Sequence, residues 1–139
     1  MTETEIAWLS GWLEGEGYFG IGAGTPALIV NSTDLDVIQK ATKLIAVGKL
    51  VQSPKPQKPH WKQQYRIQLY GENAATIMRL IRPYMGQRRG EAIDTALQLY
   101  AEIEARRKDR ISATLIRKNK NFSVVRDGHG KFISFNDSL

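Results

Sequence analysis

The segment Leu9-Ser10-Gly11-Trp12-Leu13-Glu14-Gly15-Glu16-Gly17 carries the residue types from which chemistry could be built. Gly11 and Gly15 lie four apart, so on a helix they share one face. A stripe without side chains lets another helix backbone come very close. Glycine inside a soluble helix costs roughly 1 kcal/mol relative to alanine, so Gly11 asks for a compensating contact. Glu14 and Glu16 would sit at the C-terminus of that helix, where the macrodipole is negative and a carboxylate is disfavoured by roughly 0.3–1 kcal/mol. A divalent metal reverses that sign. Mg²⁺ takes oxygen ligands, usually one or two carboxylates completed by substrate phosphates and water. A close-packed helix pair ending in such carboxylates could hold metals astride a phosphodiester. The same residues also fit a plainer arrangement, a helix stopped by glycine with solvated glutamates, and spacing alone favours that one.

The elements that must position these residues can be read along the chain. Thr2 and Glu5 form a capping box for a helix from Glu3 to about Glu14, ended by Gly15 and Gly17. Trp8, Gly11, Trp12 and Gly15 fall on one of its faces, and Ile6, Leu9 and Leu13 on another. A helix apolar on two faces must bury both. Strands are predicted over Tyr18–Ala23 and Ala27–Asn31, joined by a Gly24-Thr25-Pro26 turn. Ser32 or Thr33 should cap a helix from Asp34 to about Ala46. A strand over Lys49–Gln52, a proline-rich loop over Ser53–Lys62 and a strand over Tyr65–Tyr70 follow. The last alternates, with Tyr65, Ile67 and Leu69 on one face and Arg66, Gln68 and Tyr70 on the other. Gly71 should break it. Helices are then expected over Asn73–Arg82, ending at Pro83, and from about Gly90 to Arg107. In the tail, Ile111–Arg117 reads as a short helix, and Phe122–Arg126 and Lys131–Phe135 flank a hairpin signal at Asp127-Gly128-His129-Gly130.

Composition narrows the class. The chain has 139 residues, 42% hydrophobic and 24% charged, which suits one globular domain. It has no cysteine and two histidines, His60 and His129, which excludes disulfide scaffolds, thiol nucleophiles and zinc-cysteine sites. No apolar run approaches a membrane span, and Met1–Glu5, with two acids and no base, does not read as a signal peptide. An intracellular protein, cytoplasmic (nucleoid) or organellar and not secreted, is the expectation. The net charge is +6, which asks for an anionic partner, commonly nucleic acid. Residues 1–16 hold four acids and no base. Residues 49–89 hold nine bases and one acid, and residues 105–126 eight bases and one acid.

The nine-residue segment resembles the signature of LAGLIDADG homing endonucleases, in the variant that carries Gly-Glu-Gly. The resemblance continues through Ser32-Thr33-Asp34 opening a helix, Gly48-Lys49-Leu50 entering a strand, Tyr65–Gly71, and Ile77 to Pro83-Tyr84, over roughly residues 4–105. It implies an α+β fold of order αββαββα, with an antiparallel four-stranded saddle sheet over the DNA major groove. Residues 1–110 would form the endonuclease domain. Residues 111–139 would be a basic C-terminal extension, outside the family pattern, within the same compact unit.

The resemblance also implies roles. Glu16 occupies the motif's second acidic position, which binds the catalytic divalent metal, with the Gly15 carbonyl helping. Mg²⁺ is the expected ion. Mn²⁺ should substitute, and Ca²⁺ should support binding without cleavage. Water activated by the metal is the expected nucleophile, and Glu14 is expected to be structural. Arg88, counted from Pro83-Tyr84, matches a basic residue near the scissile phosphate. It equally fits a phosphate-contacting or solvated arginine. Asn31 matches a water-orienting polar residue, although a turn or helix-entry role fits it as well. Arg66, Gln68 and Tyr70 would read bases on the concave face. Lys49, Lys55, Lys62 and Arg89 would meet phosphates, joined by Arg117, Lys118 and Lys120 in the tail. His60 and Trp61 could reach DNA or anchor their loop. Gly20, Gly22, Gly24 and Ala27 leave the first hairpin few side chains with which to read bases. With one motif per chain, the family works as a homodimer, so Trp8, Gly11, Trp12 and Gly15 would form the two-fold interface.

The expected function is site-specific, metal-dependent double-strand cleavage of a long pseudo-palindromic DNA target by a homodimer, as for an enzyme of a mobile intron or mobile gene. An intron RNA splicing maturase and a non-catalytic DNA-binding protein on the same fold are the alternatives. An intact Glu16 argues against the latter.

Overall fold

The computed structural model describes residues 1–121, 124–126 and 132–134. Helix α1 spans Glu3–Glu16 and starts at the expected capping box: the Glu5 N–H donates to the Thr2 hydroxyl at 3.2 Å, and the Thr2 N–H to the Glu5 carboxylate at 2.7 Å. It runs past Glu14, through Gly15, to Glu16. Gly17 ends it in extended backbone, its N–H donating to the Leu13 carbonyl. A Cβ at Gly17 would lie 2.6 Å from that carbonyl oxygen, so glycine alone permits this direct step from helix to strand.

Strands β1 (Gly17–Gly22), β2 (Thr25–Ser32), β3 (Lys49–Gln52) and β4 (Tyr65–Tyr70) form one antiparallel sheet in the order β1-β2-β4-β3. The hairpin turn lies at Ala23-Gly24, one residue earlier than the glycine-proline signal suggests. Both residues have positive φ, 51° and 76°, as a two-residue turn requires to match strand twist. Thr25 and Pro26 therefore belong to β2, with Pro26 buried opposite Ile21.

The register sorts the sheet into two faces. Phe19, Leu28, Val30, Ile67 and Leu69 point inward and are almost wholly buried. Helices cover them: Leu9 and Leu13 of α1, Ile38, Ala41 and Ile45 of α2 (Leu35–Ile45), Ala74, Ile77, Met78 and Ile81 of α3 (Gly71–Ile81), and Ile93 and Ala96 of α4 (Gln87–Asn121) complete one core. Each fully buried leucine or isoleucine contributes about 1.5–3 kcal/mol. The opposite face, with Tyr18, Asn31, Arg66, Gln68, Tyr70 and Lys49, carries no helix-packed core among the described residues.

Several element boundaries differ from the sequence expectation for physical reasons. The N-cap of α2 is Asp34, without a side-chain cap, while Ser32 accepts the Asp34 N–H at 3.1 Å and so shapes the entry turn. Gly71, with φ +64°, takes β4 into α3 without a loop, so α3 begins two residues before Asn73. A single 3-10 turn, Arg82–Tyr84, absorbs Pro83. Helix α4 starts at Gln87 and continues to Asn121, so the expected short helix Ile111–Arg117 is part of it. No proline or glycine interrupts the chain between Gly90 and Gly128, and the charged run Lys108-Asp109-Arg110 does not break a helix. Gly90 is buried inside α4, and a Cβ there would strike the Arg82 guanidinium. That space lets Arg82 form two 2.8 Å hydrogen bonds to Asp94, which hold the Asp94 carboxyl below its ordinary pKa.

Two compact units divide the chain, Met1–Ala101 and Glu102–Leu139. The second contains the exposed later part of α4 and two strands, β5 (Val124–Arg126) and β6 (Phe132–Ser134), paired antiparallel. The hairpin signal expected at Asp127–Gly130, and Phe122, Lys131 and Phe135, lie outside the described residues. No helix among the described residues is long and apolar enough to cross a membrane.

Candidate active site and nucleic-acid interface

The end of α1 delivers Glu16 to the surface, exposed and at the rim of a depression of about 260 Å³. Trp12, Asn31, Ser32, Thr33, Asp34 and Gln64 complete its lining. Asn31 reaches it because β2 runs antiparallel beside β1, returning the end of β2 to the level where α1 becomes β1. Asn31 lies directly across from Arg66 on β4, and the Arg66 Nε–H donates to the Asn31 Oδ1 at 2.7 Å. Arginine only donates, so the Asn31 oxygen faces Arg66 and its amide hydrogens remain for other partners.

A second set of contacts fastens the same end of α1. The Arg89 Nε–H donates to the Glu14 carbonyl at 3.0 Å, and its Nη2–H to the Gly15 carbonyl at 3.2 Å. In return, the Glu14 carboxylate accepts the Gly86 N–H at 3.0 Å, just before α4 begins. Each helix end thus meets the charge that suits its dipole. Arg89 was expected at DNA phosphates, and Glu14 in a structural role. Arg88, one residue earlier, is exposed, with no hydrogen bond or ion pair among the described residues.

The other named residues fall in three places. Arg66, Gln68, Tyr70 and Lys49 share the outer sheet face. Gly20 and Gly22 are on that face too, but the Tyr18 ring lies over Gly20 and the Tyr70 ring against Gly22, so the glycines are covered by aromatics. Lys55 and Lys62 line an open pocket of about 780 Å³ in the β3–β4 loop, with Ser53, His60 and Trp61. Gln63 secures this loop by donating to the Ser53 carbonyl at 2.6 Å, and the Lys58 ammonium lies 5.1 Å from the Trp61 ring. Arg117 and Lys118 are exposed on the second unit, where Lys118 lines a shallow groove with Arg110, Ile111, Thr114 and Leu115; Lys120 is exposed on the same helix.

The dimerisation face proposed for α1 is open in the single chain. Gly11 and Gly15 are exposed, with nothing among the described residues within 4 Å of a Cβ built on either. Trp8 and Trp12 stack with centroids 6.1 Å apart, and the Lys40 ammonium lies 3.9 Å from the Trp8 ring. Sequence reasoning passed over Lys40, the Arg89–Glu14 contacts and the Arg82–Asp94 pair. The only hint of the second was an acidic helix end with no base in its last turn, and that does not say which arginine answers it.

Glu16 and the Gly15 carbonyl are hard oxygen donors of the kind Mg²⁺ takes. Among the described residues no group of three or more His, Cys, Asp or Glu could hold a metal. An ion held by these two oxygens would need phosphate oxygens and water to complete its shell.

No family model matches the chain, and no curated protein matches it in sequence. Solved structures do match in fold. The homing endonuclease I-CvuI, in complex with an I-CreI target in the presence of Mg and with the DNA not cleaved, aligns with a TM-score of 0.59 at 15% identity, over 73% of this chain and 69% of that one. The LAGLIDADG meganuclease I-CpaMI, bound to uncleaved DNA, gives 0.54 at 13% identity, over 73% of this chain and 37% of that one. An archaeal intron-encoded homing endonuclease complexed with DNA gives 0.50 at 9% identity, over 74% and 84%. The chain has the LAGLIDADG homing-endonuclease fold.

Proposed function

We propose that this protein is a divalent-metal-dependent DNA endonuclease that works as a homodimer on a long pseudo-palindromic target. The observation that carries this reading is Glu16, exposed at the end of a helix whose Gly11/Gly15 face is bare. Two copies joined through that face would bring two Glu16 carboxylates together, one for each strand. Glu16 and the Gly15 carbonyl would hold Mg²⁺, which supplies charge neutralisation at the scissile phosphate and a more acidic water. Asn31 lines the same depression, and its amide hydrogens, left over by the Arg66 contact, would orient water. Arg88, exposed in the first turn of α4, is free to meet a phosphate. On the sheet, Arg66, Gln68 and Tyr70 are proposed to face base edges, and Lys49, Lys55 and Lys62 phosphates. Arg117, Lys118 and Lys120 are proposed as additional phosphate contacts from the extension, with residues 1–110 as the endonuclease domain. The fold's relatives named above were solved with DNA, two of them with uncleaved DNA, and that supports a DNA partner here.

The test is a cleavage selection over a library of palindromic duplexes in Mg²⁺, with structured RNA as a competitor in a parallel binding assay. Recovery of a preferred duplex is expected. Glu16→Gln should then lower the cleavage rate by roughly a thousandfold, the several kcal/mol that metal charge stabilisation supplies, while keeping DNA affinity in Ca²⁺. Full cleavage by that variant would sink the metal assignment. Preferential retention of RNA, with no duplex cut, would overturn the nuclease reading in favour of a maturase.

A further inference from the structure

We infer that Arg89 is a positioning residue for the metal carboxylate, acting through the C-terminal turn of α1 rather than on DNA; this rests on the nuclease reading of Glu16. Three observations meet here. The Arg89 guanidinium donates to two successive carbonyls, Glu14 and Gly15, the second belonging to the residue immediately before Glu16. The last turn of α1 contains no base of its own but two carboxylates, Glu14 and Glu16. The Glu14 carboxylate closes the same contact from the other side, on the Gly86 N–H.

A helix C-terminus leaves carbonyls without intrahelical donors, and its partial negative charge repels a carboxylate placed on it. Arg89 answers both. Its planar fork fixes the direction of two peptide planes, and its charge offsets the dipole one residue from Glu16. Lysine, a point charge on a flexible stem, cannot bridge both carbonyls in one geometry. Gly15 leaves this turn without a side chain to brace it, and none of the described residues lies within 4 Å of the site of its absent Cβ. The bracing therefore falls to the carbonyl side of the turn. The Gly15 oxygen has a second lone pair, so accepting from Arg89 leaves it able to face a cation as well.

The expectation follows from what Arg89 holds. Arg89→Ala should weaken Mn²⁺ binding about tenfold or more, the usual scale for removing a group that orients a metal ligand. Arg89→Lys should fall between that variant and the native chain. Three measurements on the full chain test this. Amide hydrogen exchange reads the α1 C-terminal turn without any ligand. Electron paramagnetic resonance titrates free Mn²⁺ with the protein bound to the duplex recovered from the cleavage selection, or to a mixed-sequence duplex if none is recovered. DNA affinity in Ca²⁺ is followed against salt concentration.

Faster exchange at residues 15–17, weaker Mn²⁺ binding and an unchanged salt slope support the inference. A salt slope reduced by about one, with Mn²⁺ affinity intact, identifies a phosphate contact instead and overturns it. Faster exchange with Mn²⁺ affinity intact reduces Arg89 to a fold contact, and also overturns it. Should Arg89→Ala not fold, Arg89→Lys binding Mn²⁺ like the native chain does the same. If the native chain and Glu16→Gln both fail to bind Mn²⁺, the nuclease reading falls first and this inference with it. Native binding that Glu16→Gln abolishes and Arg89→Ala leaves alone defeats the Arg89 inference alone.

Discussion

Arg66 occupies a position where two demands meet. Its alternation with Gln68 and Tyr70 puts it on the outer sheet face, the one proposed to meet base edges, and its Nε–H is already given to Asn31 at 2.7 Å. The outer guanidinium nitrogens remain for a guanine. The side chain would therefore read a base with one edge and hold Asn31 with the other. Without Arg66, the Asn31 amide loses the bond that fixes its orientation, a net contribution of about 1–1.5 kcal/mol. Arg66→Ala should thus relax base preference and also slow cleavage at saturating DNA, by roughly tenfold. Single-turnover rates with protein in excess would separate these effects. A variant that loses discrimination but cuts saturated DNA at the native rate would confine Arg66 to base contact. The alternation that placed Arg66, Gln68 and Tyr70 together was plain in the sequence. The bond to Asn31 was not, because it depends on the β2–β4 register across 35 residues of chain.

At the scale of elements, the first hairpin turns on Ala23 and Gly24, both with positive φ. An alanine in that region costs roughly 1–2 kcal/mol, and asparagine tolerates it far better. Ala23→Asn should stabilise the fold by about 1 kcal/mol and raise Tm by roughly 3–5 °C, with the outer face of the sheet untouched. Calorimetry checks the first part, and an unchanged DNA affinity the second. A fall in Tm would mean that the turn is not of this type in solution. This turn also shows what hydrophobic pattern and breaker residues convey. The inward faces of β1, β2 and β4 and the buried faces of α1, α2 and α3 follow from periodicity, because burial imposes it. The turn was misplaced because Gly24-Thr25-Pro26 is a stronger turn signal than Ala23-Gly24, and only pairing with β1 draws Pro26 into a strand. Helix α4 was cut short for the opposite reason. Its later part has no buried face, so no periodicity announced it, and only the lack of a breaker allowed it. The contacts of Arg89 with Glu14 and Gly15 join residues 74 and 75 positions apart, and no local pattern encodes them.

For the whole molecule, the question is what covers Gly11 and Gly15. In the single chain their face is open, so a methyl group at Gly11 would meet nothing among the described residues. Replacing an exposed mid-helix glycine by alanine ordinarily stabilises a helix by roughly 1 kcal/mol. If two copies pack through this face, the same methyl group would enter the contact between helix backbones and push them apart. The two situations give opposite signs for one small substitution. With a dimer, light scattering should report twice the chain mass, and Gly11→Ala should weaken association, move the monomer–dimer transition to higher protein concentration and lower Tm where the native chain is dimeric, since oligomer stability follows mass action. Gly11→Leu should go further and yield the monomer. If the chain is a monomer in solution, Gly11→Ala should simply raise Tm, equally at every concentration. That result would leave each Glu16 without its counterpart before DNA is bound, and would shift assembly of the paired site onto the two halves of the target.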